Sequence, residues 1–271
     1  NDGFTPETPK RTLKGAMSAA VVAGDTVHAA KGVYREEEMK QTDKCAAGTV
    51  LADVIIMNRV AVPSGVTLLA DEGPEKTAIE GRSATDPDEH GLGTDAVRCV
   101  FLAKGASVRG FTIRNGRSRA QDGSVDDAYA GGILGCGSAE GTVENCIITG
   151  GNAAAGGNGG WGRGLGGNVY MTGGRLVRCQ ILNGISVGFM VGTTVRNDDH
   201  RSCGAGVYAA GEAVVDSCLI KGNGSNTLTY GMGVYVAGNA MVANCTVRSF
   251  GKKKLPILYT IGKYLYTSLP C

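Results

Sequence analysis

The chain has 271 residues, enough for one large domain or two small ones. Lys and Arg number 27 against 25 Asp and Glu, and the net charge of +2 gives no reason to expect a nucleic-acid partner. Apolar residues make up 42% and charged residues 19%, which excludes wholesale disorder; Gly reaches 44 without a Gly-X-Y period, and with only 7 Pro this excludes collagen.

The first predicted element is a helix over Thr12–Ala23. Leu13, Ala16, Met17, Ala20 and Val21 recur at helical spacing, Thr12 fits the N-cap and Gly24 the C′ position. Gly24-Asp25-Thr26 then predicts a turn into a strand at Val27-His28-Ala29, followed by Lys31-Gly32-Val33-Tyr34. Val66-Thr67-Leu68-Leu69 and Ala78-Ile79-Glu80-Gly81 read as further strands, with polar loops at 35–50 and 82–96. No run of 18 uncharged apolar residues occurs, so no transmembrane helix is predicted.

From residue 131 to residue 251 the sequence repeats, and 29 of the 44 Gly fall there. Four segments align, each running from a Gly/Asn-Val/Ile step to a Cys followed by alternating aliphatic residues: Ile133 to Cys146, Val169 to Cys179, Val207 to Cys218 and Val234 to Cys245. An earlier copy runs from Val100 to Phe111, with Phe111 in the Cys position. The Cys-to-Cys periods are 33, 39 and 27 residues, so a nearly constant core is joined by one variable connection. Short alternating runs separated by Gly and Asn mark strands and turns. Equivalent residues recur once per unit and never in mirror order, which argues against hairpins. Stacking such units in parallel places Val over Val and Cys over Cys about 4.8 Å apart. The fold class predicted is all-β, a right-handed parallel β-helix (solenoid) with a short N-terminal capping α-helix.

Cys146, Cys179, Cys218 and Cys245 share one phase and read as an inward stack of thiols, since free Cys packs as a small hydrophobe. No Cys-x2-Cys pair supports zinc. Nine Cys is an odd count, and Cys45, Cys99, Cys136, Cys203 and Cys271 lie off the phase. Asn244, beside the stack, reads as a turn residue. Residues 1–250 are taken as a single β-helix domain, and residues 251–271, which open on Lys252-Lys253-Lys254, as a C-terminal tail or cap.

These motifs resemble a known group. Thr8-Pro9-Lys10-Arg11-Thr12-Leu13, Ala23-Gly24-Asp25-Thr26-Val27 and Lys31-Gly32-Val33-Tyr34 are similar to the opening of right-handed parallel β-helix proteins of the pectin-lyase-like superfamily. The later Gly-Gly-Ile-Leu and Gly-Val-Tyr units, with Phe111-Thr112-Ile113-Arg114-Asn115, resemble repeats of bacterial surface β-helices, including polymorphic outer-membrane proteins. The resemblance implies an extracellular or bacterial cell-surface, outer-membrane-associated setting; a monomer or a part of a longer chain is expected. The pectin hydrolase blocks Asn-Thr-Asp and Gly-His-Gly are missing, and Asp199-His200 lacks the Trp of the pectate lyase block. The opening also looks like that of alginate and chondroitin lyases, whose catalytic Lys, Arg and calcium-binding acids do not map onto this chain. The superfold hosts enzymes and adhesins alike, so it does not fix activity.

Chemistry is expected at the variable connection. Insertions at 117–130, 151–166 and 193–202 fall at the same place in successive units and should form one ridge. Trp161, the only Trp, offers a sugar-stacking ring, with Arg163 and Asp122 as further substrate contacts. The leading expectation is a surface β-helix that contacts a polysaccharide or surface glycan, or adheres, through these loops. The alternative is a calcium-assisted lyase of uronic-acid polymers. There His200, Arg201 or Tyr129 would take the proton beside the uronic carboxylate, and Asp126, Asp127, Asp198 and Asp199 would bind Ca²⁺. A glycoside hydrolase using two loop carboxylates ranks below the lyase.

Overall fold

A computed structural model describes residues 2–19, 21–40, 57–85, 95–119, 128–135, 141–154, 163–187, 202–224, 229–248 and 258–261. The chain is all-β with stacked parallel sheets, a solenoid-like arrangement consistent with a β-helix. Successive strands of one coil lie in different sheets, and equivalent strands of successive coils pair side by side.

The first face holds seven parallel strands: Thr26–Ala29, Thr67–Ala70, Ser107–Arg109, Thr142–Glu144, Arg175–Val177, Val214–Asp216 and Met241–Ala243. The second also holds seven: Gly32–Tyr34, Thr77–Glu80, Thr112–Arg114, Ile147–Thr149, Gln180–Leu182, Leu219–Lys221 and Thr246–Arg248. The third runs in parallel through Met57–Val62, Val97–Leu102, Ile133–Gly135, Val169–Met171, Val207–Ala209, Val234–Ala237 and Leu258–Ile261, with Met39–Lys40 antiparallel at its edge. Leu258–Ile261 pairs in register with Val234–Ala237, so Tyr259 stands beside Tyr235 and part of the tail continues the coil.

Because side chains alternate along a strand, each face sends one column inward. Leu68, Val108, Val143, Leu176, Val215 and Val242 line the first face. Ile79, Ile113, Ile148, Ile181 and Ile220 line the second. Val60, Val100, Ile133, Val169, Val207 and Val234 line the third. All belong to one continuous core, and each such side chain contributes about 1.5–3 kcal/mol of burial.

Between the first and second faces the chain turns through one residue in the left-handed region: Gly110, Asn145, Arg178, Ser217 and Asn244 on successive coils. The next residue is Phe111, Cys146, Cys179, Cys218 or Cys245, whose side chain enters the core. The predicted Cys phase and its Phe111 member are therefore one inward stack, and Asn244 is a turn residue. A second left-handed residue follows the second face at Asn115, Gly150, Asn183 and Gly222. Asn and Gly are the residues that accept this conformation at least cost.

The helix departs from expectation. It spans Leu13–Ser18, with Thr12 as N-cap accepting the Gly15 N–H at 3.0 Å, and Leu13 and Met17 join the core. The predicted continuation to Ala23 does not form, because Asp25 draws the chain into a turn instead. Its carboxylate accepts the Val22 N–H at 2.8 Å, and its own N–H donates to the Val22 carbonyl at 3.0 Å.

Candidate functional site

After the second face the chain does not pass straight to the third. It leaves through a short outgoing strand, Arg117–Arg119, Asn152–Ala154 or Ile185–Val187 on successive coils, and these three pair in parallel. It returns through Ala128–Tyr129, Gly164–Leu165, Ser202–Cys203 and Thr229–Tyr230, which form a four-stranded parallel sheet. The connections at 120–127, 155–162 and 188–201 are carried on these two stacks of stems. The flanks of the predicted insertions are thus strands rather than loop, and the stems of all three insertions lie at one corner.

The stems are held close to the coil because side chains there are small. A Cβ on Gly131 would lie 2.3 Å from the Gly116 carbonyl oxygen and 2.3 Å from the Asn152 nitrogen, so only Gly lets these backbones meet. Two buried asparagines satisfy the backbone at the same corner. Asn168 accepts the Gly151 N–H at 2.8 Å and donates to the Leu182 carbonyl at 2.9 Å and to Asn223 Oδ1 at 3.2 Å. Asn223 accepts the Gly184 N–H at 2.7 Å and donates to the Ile181 carbonyl at 3.0 Å.

The first stem is fixed by a buried guanidinium. Arg98 is 0% exposed; its Nε donates to the Ala130 carbonyl at 2.7 Å, Nη1 to Asn58 Oδ1 at 3.1 Å and Nη2 to Ser118 Oγ at 3.2 Å. One side chain therefore ties the third face to the first outgoing stem and the first return. Burial brings its pKa down to about 9, which leaves it charged at neutral pH. Arg117 donates to the Gly116 and Gly150 carbonyls at 3.0 and 2.6 Å, and burial lowers it too. The neighbouring Cys99 thiol is pushed up to about 12, first by burial, and is unreactive at neutral pH.

The return strands cover the outer side of the third face. Leu165 and Cys203 pack with Phe101, Tyr170 and Tyr235 in a second apolar cluster, against which Tyr208 and Tyr230 also pack. Tyr170, Tyr208 and Tyr235 stack with ring centroids 4.9 and 5.0 Å apart and interplanar angles of 10° and 17°. That separation is the strand repeat, so register alone sets the stacking. The Val-Tyr repeat in the sequence carried this signal, because the residue after an inward Val must point outward.

Of the predicted site residues, two fall within the described residues. Tyr129 lies in the first return strand, its backbone paired with Leu165. Arg163 is half-buried and immediately precedes the second return strand. Asp122, Asp126, Asp127, Trp161, Asp198, Asp199, His200 and Arg201 lie outside the described residues. Asn58, Arg98, Asn168 and Asn223 organise the corner, a role that sequence reading did not assign to them. Polar residues in an alternating run read as solvent-facing, and the covering return sheet is what buries Arg98.

No family model, no curated protein and no solved structure matches the chain.

Proposed function

We propose that the chain is a right-handed parallel β-helix of the pectin-lyase-like kind, acting outside the cell or at a bacterial surface. In this reading it holds a polysaccharide or surface glycan against the loops of its insertion corner. The supporting observation is that the stems of all three insertions stack in two parallel sheets on one side of a rigid coil. Loops on rigid stems are the usual place for binding residues, and stacked stems repeat along the coil as saccharide units repeat along a chain. Trp161 supplies the stacking ring and Arg163 and Asp122 the polar contacts. The test is retention on a panel of immobilised polysaccharides, together with ultraviolet assay for unsaturated product on uronic-acid polymers, with calcium and then with chelator. The expected result is retention, weakened about tenfold by Trp161→Ala, with no product. Unchanged retention in Trp161→Ala would remove the stacking role. Chelator-sensitive product would replace binding with the lyase chemistry of His200, Arg201 or Tyr129 and a Ca²⁺ held by Asp126, Asp127, Asp198 and Asp199.

A further inference from the structure

Away from the loop corner, the core contains a column of sulfur. Cys146, Cys179, Cys218 and Cys245 carry free thiols on four consecutive coils, and Phe111 closes the column on the coil before them. Each rung's N–H points at the sulfur of the next: Cys146 N to Cys179 Sγ is 3.5 Å, Cys179 N to Cys218 Sγ is 3.4 Å and Cys218 N to Cys245 Sγ is 3.3 Å. Each thiol donates to the carbonyl two residues before it, at 3.3, 3.2, 3.2 and 3.0 Å in chain order.

The spacing selects a ligand class. In-register parallel strands repeat at about 4.8 Å, and Cys side chains of one phase on successive rungs are expected to place their sulfurs at about that spacing. A metal–thiolate bond is about 2.3 Å, and an ion centred between two sulfurs spans about 4.6 Å. Among the described residues no group of three or more His, Cys, Asp or Glu is placed to hold a metal ion, so the column offers ligands only in pairs. Zinc requires four ligands and calcium six to eight oxygens, which leaves soft monovalent ions content with two sulfurs, Cu(I) and Ag(I).

We infer that the cysteine column is a binding site for a soft monovalent metal ion, seated between Cys218 and Cys245. This pair lies at the accessible end. Cys146, Cys179 and Cys218 are buried, Cys245 is half-buried, and no strand follows Thr246–Arg248 in its sheet among the described residues. At the other end Phe111 shuts the column. On binding, one thiol gives its proton to solvent and bonds as thiolate, while its neighbour donates a sulfur lone pair as the thiol. The complex is neutral, so no uncompensated charge enters the core.

The test uses the full chain in reduced form, with Cys45, Cys136 and Cys271 replaced by Ser to silence cysteines outside the described residues. Cu(I) is titrated in competition with a chromogenic Cu(I) chelator. One equivalent should be held, with two sulfur neighbours in copper-edge X-ray absorption. Cys218→Ala and Cys245→Ala should each weaken retention at least tenfold, while Cys99→Ala and Cys203→Ala leave it unchanged. No retention by the parent, retention by the two column variants as strong as the parent's, or nitrogen and oxygen neighbours at the copper would overturn the site. Circular dichroism checks folding, and if Cys218→Ala does not fold, Cys245→Ala at the half-buried rung decides.

Discussion

The two corners of the coil that flank the second face follow opposite rules. Between the first and second faces, each of the last five coils turns through one left-handed residue and then buries Phe111, Cys146, Cys179, Cys218 or Cys245. After the second face, connections of different length leave the coil on paired stems. The first corner has no freedom because its next side chain is part of the core. The second tolerates insertion because the stems satisfy their own backbone hydrogen bonds before the chain departs. The largest length variation therefore falls where it costs the core nothing, and binding residues are free to vary there.

The sharpest way to break this contrast is at the glycine where the stems meet. Gly131→Ala would drive a Cβ into two backbone atoms at 2.3 Å, and we expect a loss of about 4 kcal/mol or more. In thermal unfolding this is a fall of about 10 °C; an unchanged midpoint would mean that the stems are not seated against the coil. Asn168→Ala comes next. It leaves the buried Gly151 N–H without an acceptor and takes one of two donors each from the Leu182 carbonyl and Asn223 Oδ1, for about 2 kcal/mol in urea unfolding. Combined with Asn223→Ala the effect should be clearly less than additive, since the two share a network.

At the tight corner the expected effects are smaller. Asn145→Ala should cost about 1 kcal/mol, because Ala in the left-handed region is strained, whereas Asn145→Gly should change stability by less than about 0.5 kcal/mol. A fourth measurement is the acid limb of stability. The Asp216 carboxyl is held below the ordinary carboxylate range, first by Asn244 Nδ2 at 2.9 Å, then by Ser217 and Arg175. A depressed folded pKa stabilises the protein above the unfolded value, and that stability is lost as pH falls through the folded pKa. Asn244→Ala should flatten the limb and raise the Asp216 midpoint followed by nuclear magnetic resonance. The smallest effect is expected from replacing residues 155–162 with a Gly-Ser stretch of equal length, which should shift stability by less than about 0.5 kcal/mol while weakening glycan retention.

Much of the coil was readable residue by residue. The Val, Ile and Cys columns follow from alternation and period, and the inward position of Phe111 followed from alignment alone. The turn at Asn244 was legible because Asn beside a buried residue has little else to do. The helix was legible in its start, where Thr12 caps it, and illegible in its end, because Asp25 competes for the backbone through a local contact that periodicity does not record. At the corner, nothing in the sequence pattern marks Arg98 as buried. Its burial comes from the stem and return strands of the insertion that follows it, which pattern analysis had assigned to loop.

The sequence by itself determined the period, the phase of each inward column and the place of the variable connection, since all three are properties of residues near one another in the chain. The tertiary structure decided which polar groups are inside. Asn58, Arg98, Asn168 and Asn223 become interior only when stems and return strands from different coils close over them, and their hydrogen-bond partners lie 14 to 55 residues away. Burial of a polar group depends on what covers it, and the cover here comes from elsewhere in the chain.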